Sequence, residues 1–329
     1  MQSLFSSLRS AVARSWAFNP VLTLAAILHF ALIPLATALI LLDPQVITGM
    51  PAWIKPLKFA ISGGIYSLTF GWFLTFVEGK RRWVQAAATV TGIALLVETV
   101  LISMQVMRGV PSHFNNTTAF DAAIFSTMGG FIALLATMNL FLAIWLLFQK
   151  LPDRAFAAAL RWGTIIAFAG MVVGGLMSAP TSGQIAALQA GETVNALGSH
   201  SVGVTDGGPG LPLLGWSTVG GDLRVAHFLG LHGMQILPLA AWLLSRRRLQ
   251  GLLGEGHRTA LVHLTGVGYL GLTVLLTWQA LREQSVIAPD GLTLAAYGLL
   301  LGVIVVGMAG VWLHGSKREA GQGKRAMAV

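Results

Sequence analysis

The 329-residue chain contains no cysteine, and charged side chains make up only 10% of it. Without a thiol it has no disulfides, no thiolate metal sites, no cysteine-ligated iron–sulfur cluster, no thioether-linked haem and no cysteine nucleophile. A metal or haem would have to be held by histidine or carboxylate. So little charge excludes an ordinary soluble domain, whose surface needs about a quarter of its residues charged. Soluble nucleotide-binding motifs are missing as well. Gly63-Gly64 and Gly207-Gly208 stand alone, without the spacing of a phosphate loop. No internal repeat or low-complexity tract is visible. A removable signal peptide is not expected either, because residues 1–19 lack a short apolar core followed by a small-residue cleavage site.

Apolar length is what the chain has in abundance. Hydrophobic residues make up 55% of it, and its mean hydropathy is +0.73. Crossing the hydrocarbon core takes about 20 residues of helix. Segments of that kind recur at 20–42, 56–77, 84–107, 122–148, 163–182, 224–244, 259–281 and 292–314. The expected fold class is therefore an all-α integral membrane protein, an eight-transmembrane-helix bundle forming one domain over 1–329.

Lysine and arginine orient it. Lys55, Lys58, Arg108, Arg224 and Arg282 lie in one set of loops, and the other sixteen of the 21 lie at the ends of the chain and in the alternate loops. By the positive-inside rule this places N and C termini in the cytoplasm. The net charge of +9 is then topology and attraction to anionic lipid, not a nucleic-acid surface. The bilayer is the expected partner, no nucleic acid is expected, and the bacterial inner membrane is the expected location, as retention and lipidation signals are missing. One long extracytoplasmic loop, 178–223, carries Asp206-Gly-Gly-Pro-Gly together with Leu and Trp residues, which favours a folded cap over a tether.

Glu98 lies in the middle of the apolar run Thr89 to Met107. An acid at that depth is expensive and is read as functional. Thr91, Glu98 and Gln105 recur every seven residues and so share one helical stripe, with Arg108 near its outer end. In the sixth segment, with Arg224 at zero, His227 falls near −60°, Gln235 near +20° and His232 near +80°, at about 100° per residue. On a continuous helix these look into one cavity, while Gly230 and Gly233 lie on the far side, suited to close helix packing. Lys55 and Lys58 follow Pro51 and Trp53 where the chain re-enters from outside. They read equally as interfacial anchors or as cations at the rim of that cavity.

The expected site is thus a cavity open to the extracytoplasmic side. Its candidate catalytic groups are Glu98 and Asp222. The candidate cofactor ligands are His113, His227 and His232, and the candidate contacts to a small-molecule or ion ligand are Lys55, Lys58, Gln105, Arg108, Asn115, Arg224 and Gln235. His29 and His263 read more simply as hydrogen-bonded packing residues, His257 and His314 as solvated, and His200, in the long outer loop, equally as a cap of the cavity or as without a role.

The motifs Pro51-x-Trp53-x-Lys55-Pro-x-Lys58-Phe, Arg108-Gly-x-x-Ser112-His113-Phe-Asn115 and Asp206-Gly-Gly-Pro-Gly-Leu-Pro resemble those of uncharacterised bacterial polytopic membrane proteins, as does Gly221-Asp222-Leu-Arg224-x-x-His227-Phe-x-Gly-x-His232-x-x-Gln235. The resemblance covers most of the chain and implies no activity.

Four functions remain open. A haem-binding redox protein would use two histidines on one iron, with haem b as cofactor, although His227 and His232 share a helix. A proton-coupled transporter or channel would use Glu98 as its protonatable group. A zinc-dependent intramembrane hydrolase would use His113, His227 and His232, with Glu98 or Asp222 as base. Ser112, His113, Asp222 and the two later histidines loosely resemble the membrane ceramidase and progestin-receptor-like hydrolases. In those the paired histidines stand four apart, and here they stand five apart, pointing about 140° away from each other. Last, the polar network serves only to lock helices together.

Overall fold

The computed structural model describes residues 2–326. Its chain divides into two compact units, one comprising 1–142, 177–200 and 205–217, the other 143–176, 201–204 and 218–329.

The first unit opens with α1 (Gln2–Phe18) and α2 (Pro20–Leu42). Asn19 divides them: its backbone is extended, its carboxamide oxygen accepts from Leu22 N, and Pro20 occupies the first helical position, where its missing N–H costs nothing. The Asn19 amide also donates to Gln85 Oε1 at 2.9 Å and Thr89 Oγ1 at 3.0 Å. A short hairpin, β1 (Val46–Ile47) and β2 (Met50–Pro51), turns the chain into α3 (Ile54–Leu74); α4 (Arg81–Met107) and α5 (Ala119–Phe148) follow, α5 running on past Leu142 into the second unit. Helices α2, α3 and α4 pack on one another. Glycine makes this possible: a Cβ on Gly63 of α3 would lie 2.3 Å from the His29 ring, and one on Gly92 of α4 would lie 3.0 Å from the Leu22 backbone.

The expected cap segment carries hydrogen bonds of its own. Within it α7 (Ser182–Gln189) begins at a capping box between Thr181 and Gln184. Residues 195–197 pair with 114–116 through Asn116 N to Asn195 O and Leu197 N to Phe114 O, and Leu211 pairs with Trp216.

The second unit is built around α6 (Arg154–Leu176). It also holds the strand pair β3 (Ser201–Val202) and β4 (Gly221–Asp222), then α8 (Leu223–Leu231), α9 (Gly233–Leu244), α10 (Arg247–Gln250), α11 (Glu255–Leu281) and α12 (Gly291–Ala326). Its core gathers Ala155, Ala158, Ala159, Ile166, Leu237, Ala241 and Val262. Helix α6 starts nine residues ahead of the expected 163, because Asp153 Oδ1 accepts from Phe156 N and so opens the helix there. Gly170 of α6 meets Gly230 of α8 backbone to backbone, and a Cβ on either would fall within 3 Å of the other. Gly233 packs on Ile166 and Gly163. The small-residue side of the sixth segment was correctly read.

Among the described residues six helices are long and apolar enough to cross a membrane: α2, α4, α5, α6, α11 and α12 over Gly291–Gly315. Helices α8 and α9 reach that standard only together, bent by 46° against each other, and would make a seventh span if the pair crosses as one. The chain is a multi-pass membrane protein. The remaining expected segment, 56–77, is α3, a full 21-residue helix whose lysines and run of Ser, Gly, Tyr and Thr hold it below the apolar level of the rest.

Candidate functional site

The stripe on α4 faces protein. Thr91, Glu98 and Gln105 are 0%, 1% and 0% exposed. Among the described residues, neither carboxylate oxygen of Glu98 has a hydrogen-bond partner, nor does Thr91 Oγ1 two turns below it. An unsatisfied buried polar group costs about 1–3 kcal/mol, and a charged one more. A carboxyl group persists there only if a donor or cation comes to it.

A histidine comes close to it: His113 Nε2 stands 3.4 Å from Glu98 Oε1 without hydrogen-bonding alignment. It reaches inward from the loop that follows α4. On its other side, Nδ1 faces Lys55 Nζ at 3.0 Å and Ser112 Oγ at 3.2 Å. An ammonium is donor-only, so Lys55 donates and Nδ1 accepts; the ring proton then resides on Nε2, toward Glu98. Phe59, Phe114 and Phe125 surround His113 at ring separations of 6.0, 6.1 and 6.1 Å. The cap segment supplies His200, 6.4 Å from His113 ring to ring, and Asp206 Oδ2 lies 2.7 Å from His200 Nδ1. Asp206 also accepts from His200 N and Ser199 Oγ, which fixes the turn that positions the histidine.

The outer end of the stripe is engaged elsewhere. Gln105 and Arg108 both donate to Asp121 Oδ1, at 2.9 and 2.6 Å, and Arg108 also bonds the Gln105 side chain. Thr118 takes the other oxygen of Asp121, at 2.6 Å. This clamp ties the end of α4 to the first turn of α5, and Arg108 stacks over Phe120. Gln105 and Arg108 are therefore committed to Asp121. Asn115 shapes its own turn, accepting from Thr117 N and donating to Pro111 O. Lys58 donates to Leu214 O in the cap segment.

The candidates of the sixth segment belong to the second unit. Asp222 caps α8, accepting from Arg224 N, and pairs through both oxygens with the Arg224 guanidinium at 2.9 and 2.6 Å. His227 Nδ1 bonds Gly170 O at 2.8 Å, its ring in a slot that a Cβ on Gly174 would fill. His232 stands at the break between α8 and α9, its Nδ1 3.2 Å from Gln235 Oε1. That break corrects the projection drawn for one continuous helix. Glycines at 230 and 233 weaken the helix on either side of His232, and Pro238 leaves a backbone carbonyl of the next turn without its donor.

His29 bonds Ala25 O and Thr99 Oγ1, and His263 accepts from Trp162 Nε1, as packing histidines do. Among the described residues no three His, Asp or Glu side chains gather as a metal ion requires, which leaves the zinc reading without a ligand set.

Sequence reasoning passed over Asp121 and the phenylalanine collar. Asp121 had a signal, because Thr118 three residues before it marks a helix start. Of the collar, Phe114 follows His113 directly and Phe125 lies early in α5, and Phe59 alone comes from a distant part of the chain.

No protein-family model matches the chain, and neither a curated protein nor a solved structure is similar to it.

Proposed function

We propose that the protein translocates protons across the bacterial inner membrane, as a proton-coupled transporter or channel, with Glu98 as the group that takes up and releases the proton. In this reading α3 serves as an eighth span, both termini are cytoplasmic, and the segment 178–223 covers the site from the extracytoplasmic side. The observation that carries it is the Glu98 carboxylate itself: fully buried on a long apolar helix, without a hydrogen-bond partner among the described residues, and approached by a histidine. A carboxyl group kept for packing would be satisfied by its neighbours, as Asp121 and Asp222 are. One kept without donors is suited to binding and losing a proton or cation.

An axial histidine needs an open ring nitrogen, so the haem reading finds no ligand in His113, which directs one nitrogen at Lys55 and the other at Glu98, or in His29, which has both bonded; it rests on His227 and His232, each bonded through Nδ1.

The test is proton flux into proteoliposomes under an imposed membrane potential, followed with an internal pH dye. The wild type should exceed protein-free vesicles, and Glu98→Gln should fall back to that background. A wild type no faster than empty vesicles overturns the proposal. So does a Soret band that shifts on reduction of the purified protein, which would favour haem.

A further inference from the structure

We infer that Lys55, His113 and Glu98 form one proton wire, in which Lys55 is the donor and His113 passes the proton by exchanging its tautomer. This rests on Glu98 being the protonated group. The three come from separate stretches: the first turn of α3, the loop after α4 and the middle of α4. Each successive gap is short, 3.0 Å from Lys55 Nζ to His113 Nδ1 and 3.4 Å from His113 Nε2 to Glu98 Oε1. Lys55 and His113 are both part-buried, the His113 side chain at 22% exposed, and that of Glu98 is only 2% exposed.

The chemistry balances without a further reactant. The Nε2–H bond of His113 breaks and its proton joins Glu98 Oε1, leaving the electron pair on Nε2. The ring double bonds shift, and Nδ1 takes a proton from the Lys55 ammonium. One ammonium and one carboxylate become one amine and one carboxylic acid, and the imidazole stays neutral throughout with its proton moved from Nε2 to Nδ1. Two opposite charges are thereby discharged where the dielectric is low and separate ions are costly. A small turn of the imidazole brings Nε2 into line with Glu98. Ser112 Oγ, which can donate and accept, holds Nδ1–H until the ring resets. The Lys55 amine regains its proton from water. His200 and Asp206 also approach His113 from the cap segment, but they are bonded to each other, with the two imidazole rings 6.4 Å apart.

Arginine separates a relay from a charge. Lys55→Arg retains a cation and a donor for Nδ1, but a guanidinium does not give up its proton in a protein. The experiment follows the carboxylic-acid infrared band of the full-length protein in nanodiscs after a pH jump, with Glu98→Gln identifying which band is Glu98. Lys55→Arg and His113→Gln should slow the rise of that band by about a hundredfold, the lower end of what a positioned acid–base group contributes, and leave its final amplitude unchanged. A Glu98 band rising as fast in Lys55→Arg as in the wild type overturns the wire. If Lys55→Arg does not fold, His113→Gln decides by the same criterion. If Glu98→Gln removes no pH-dependent band, the failure belongs to the proposed function.

Discussion

His113 Nε2 stands 3.4 Å from Glu98 Oε1, yet neither oxygen of that carboxylate is hydrogen-bonded among the described residues. The pair is close without being locked, unlike Arg224 and Asp222, which meet through two aligned bonds. A pair in that condition can change its protonation without dismantling the fold.

Glu98→Gln should accordingly leave stability nearly untouched while removing flux. The amide replaces a group of the same shape that made no bond, so unfolding in detergent should shift by no more than about 1 kcal/mol. Loss of folded yield would instead mean that Glu98 holds helices together.

Asp121→Asn should do the reverse. Asp121 is buried and accepts from Gln105, Arg108 and Thr118, whereas the Arg108 side chain is 37% exposed and keeps part of its hydration. The cost should be about 1–3 kcal/mol, below that of a fully buried pair. Flux per folded molecule should persist, and a variant that folds normally but conducts nothing would move Asp121 into the working site.

Two glycines give a matched comparison. A side chain at Gly230 would meet the Gly170 backbone, whereas one at Gly298 meets nothing within 4 Å. Gly230→Val should collapse the detergent-soluble yield, and Gly298→Val should express as the wild type does. Equal yields would show that the α6–α8 contact is not tight.

Asp290, in the turn before α12, is held well below the usual carboxylate range, first by its bonds to Arg282 and then by the backbone N–H of Thr293. A depressed value in the folded state stabilises the protein above the unfolded value of about 3.9, and that contribution fades as pH falls through the folded value. Asp290→Asn should therefore lower the melting temperature at neutral pH, by an amount that shrinks in acid. A difference that stays constant with pH would assign the effect to helix capping alone.

Much of this was legible in the residues. Apolar run lengths pointed to a multi-pass membrane protein, because about 20 consecutive apolar residues suffice to cross the hydrocarbon core whatever their tertiary contacts. The seven-residue stripe on α4 correctly placed Glu98 in the interior, and Gly230 and Gly233 correctly marked a packing face. The partners were not legible. Period and spacing give a side chain its direction along one helix, but they do not say that Arg108 turns to Asp121 or that Lys55 reaches His113. The sixth segment misled for a related reason: a helical projection assumes an unbroken axis, and the axis breaks at His232.

That break also bears on how the protein meets its membrane. A single straight span answers a thicker or thinner bilayer by tilting as a whole. Here two rods, about 14 and 18 Å long at 1.5 Å per residue, meet at 46°. Crossing the bilayer as one span, they would meet a change in its thickness at that joint, where His232 stands.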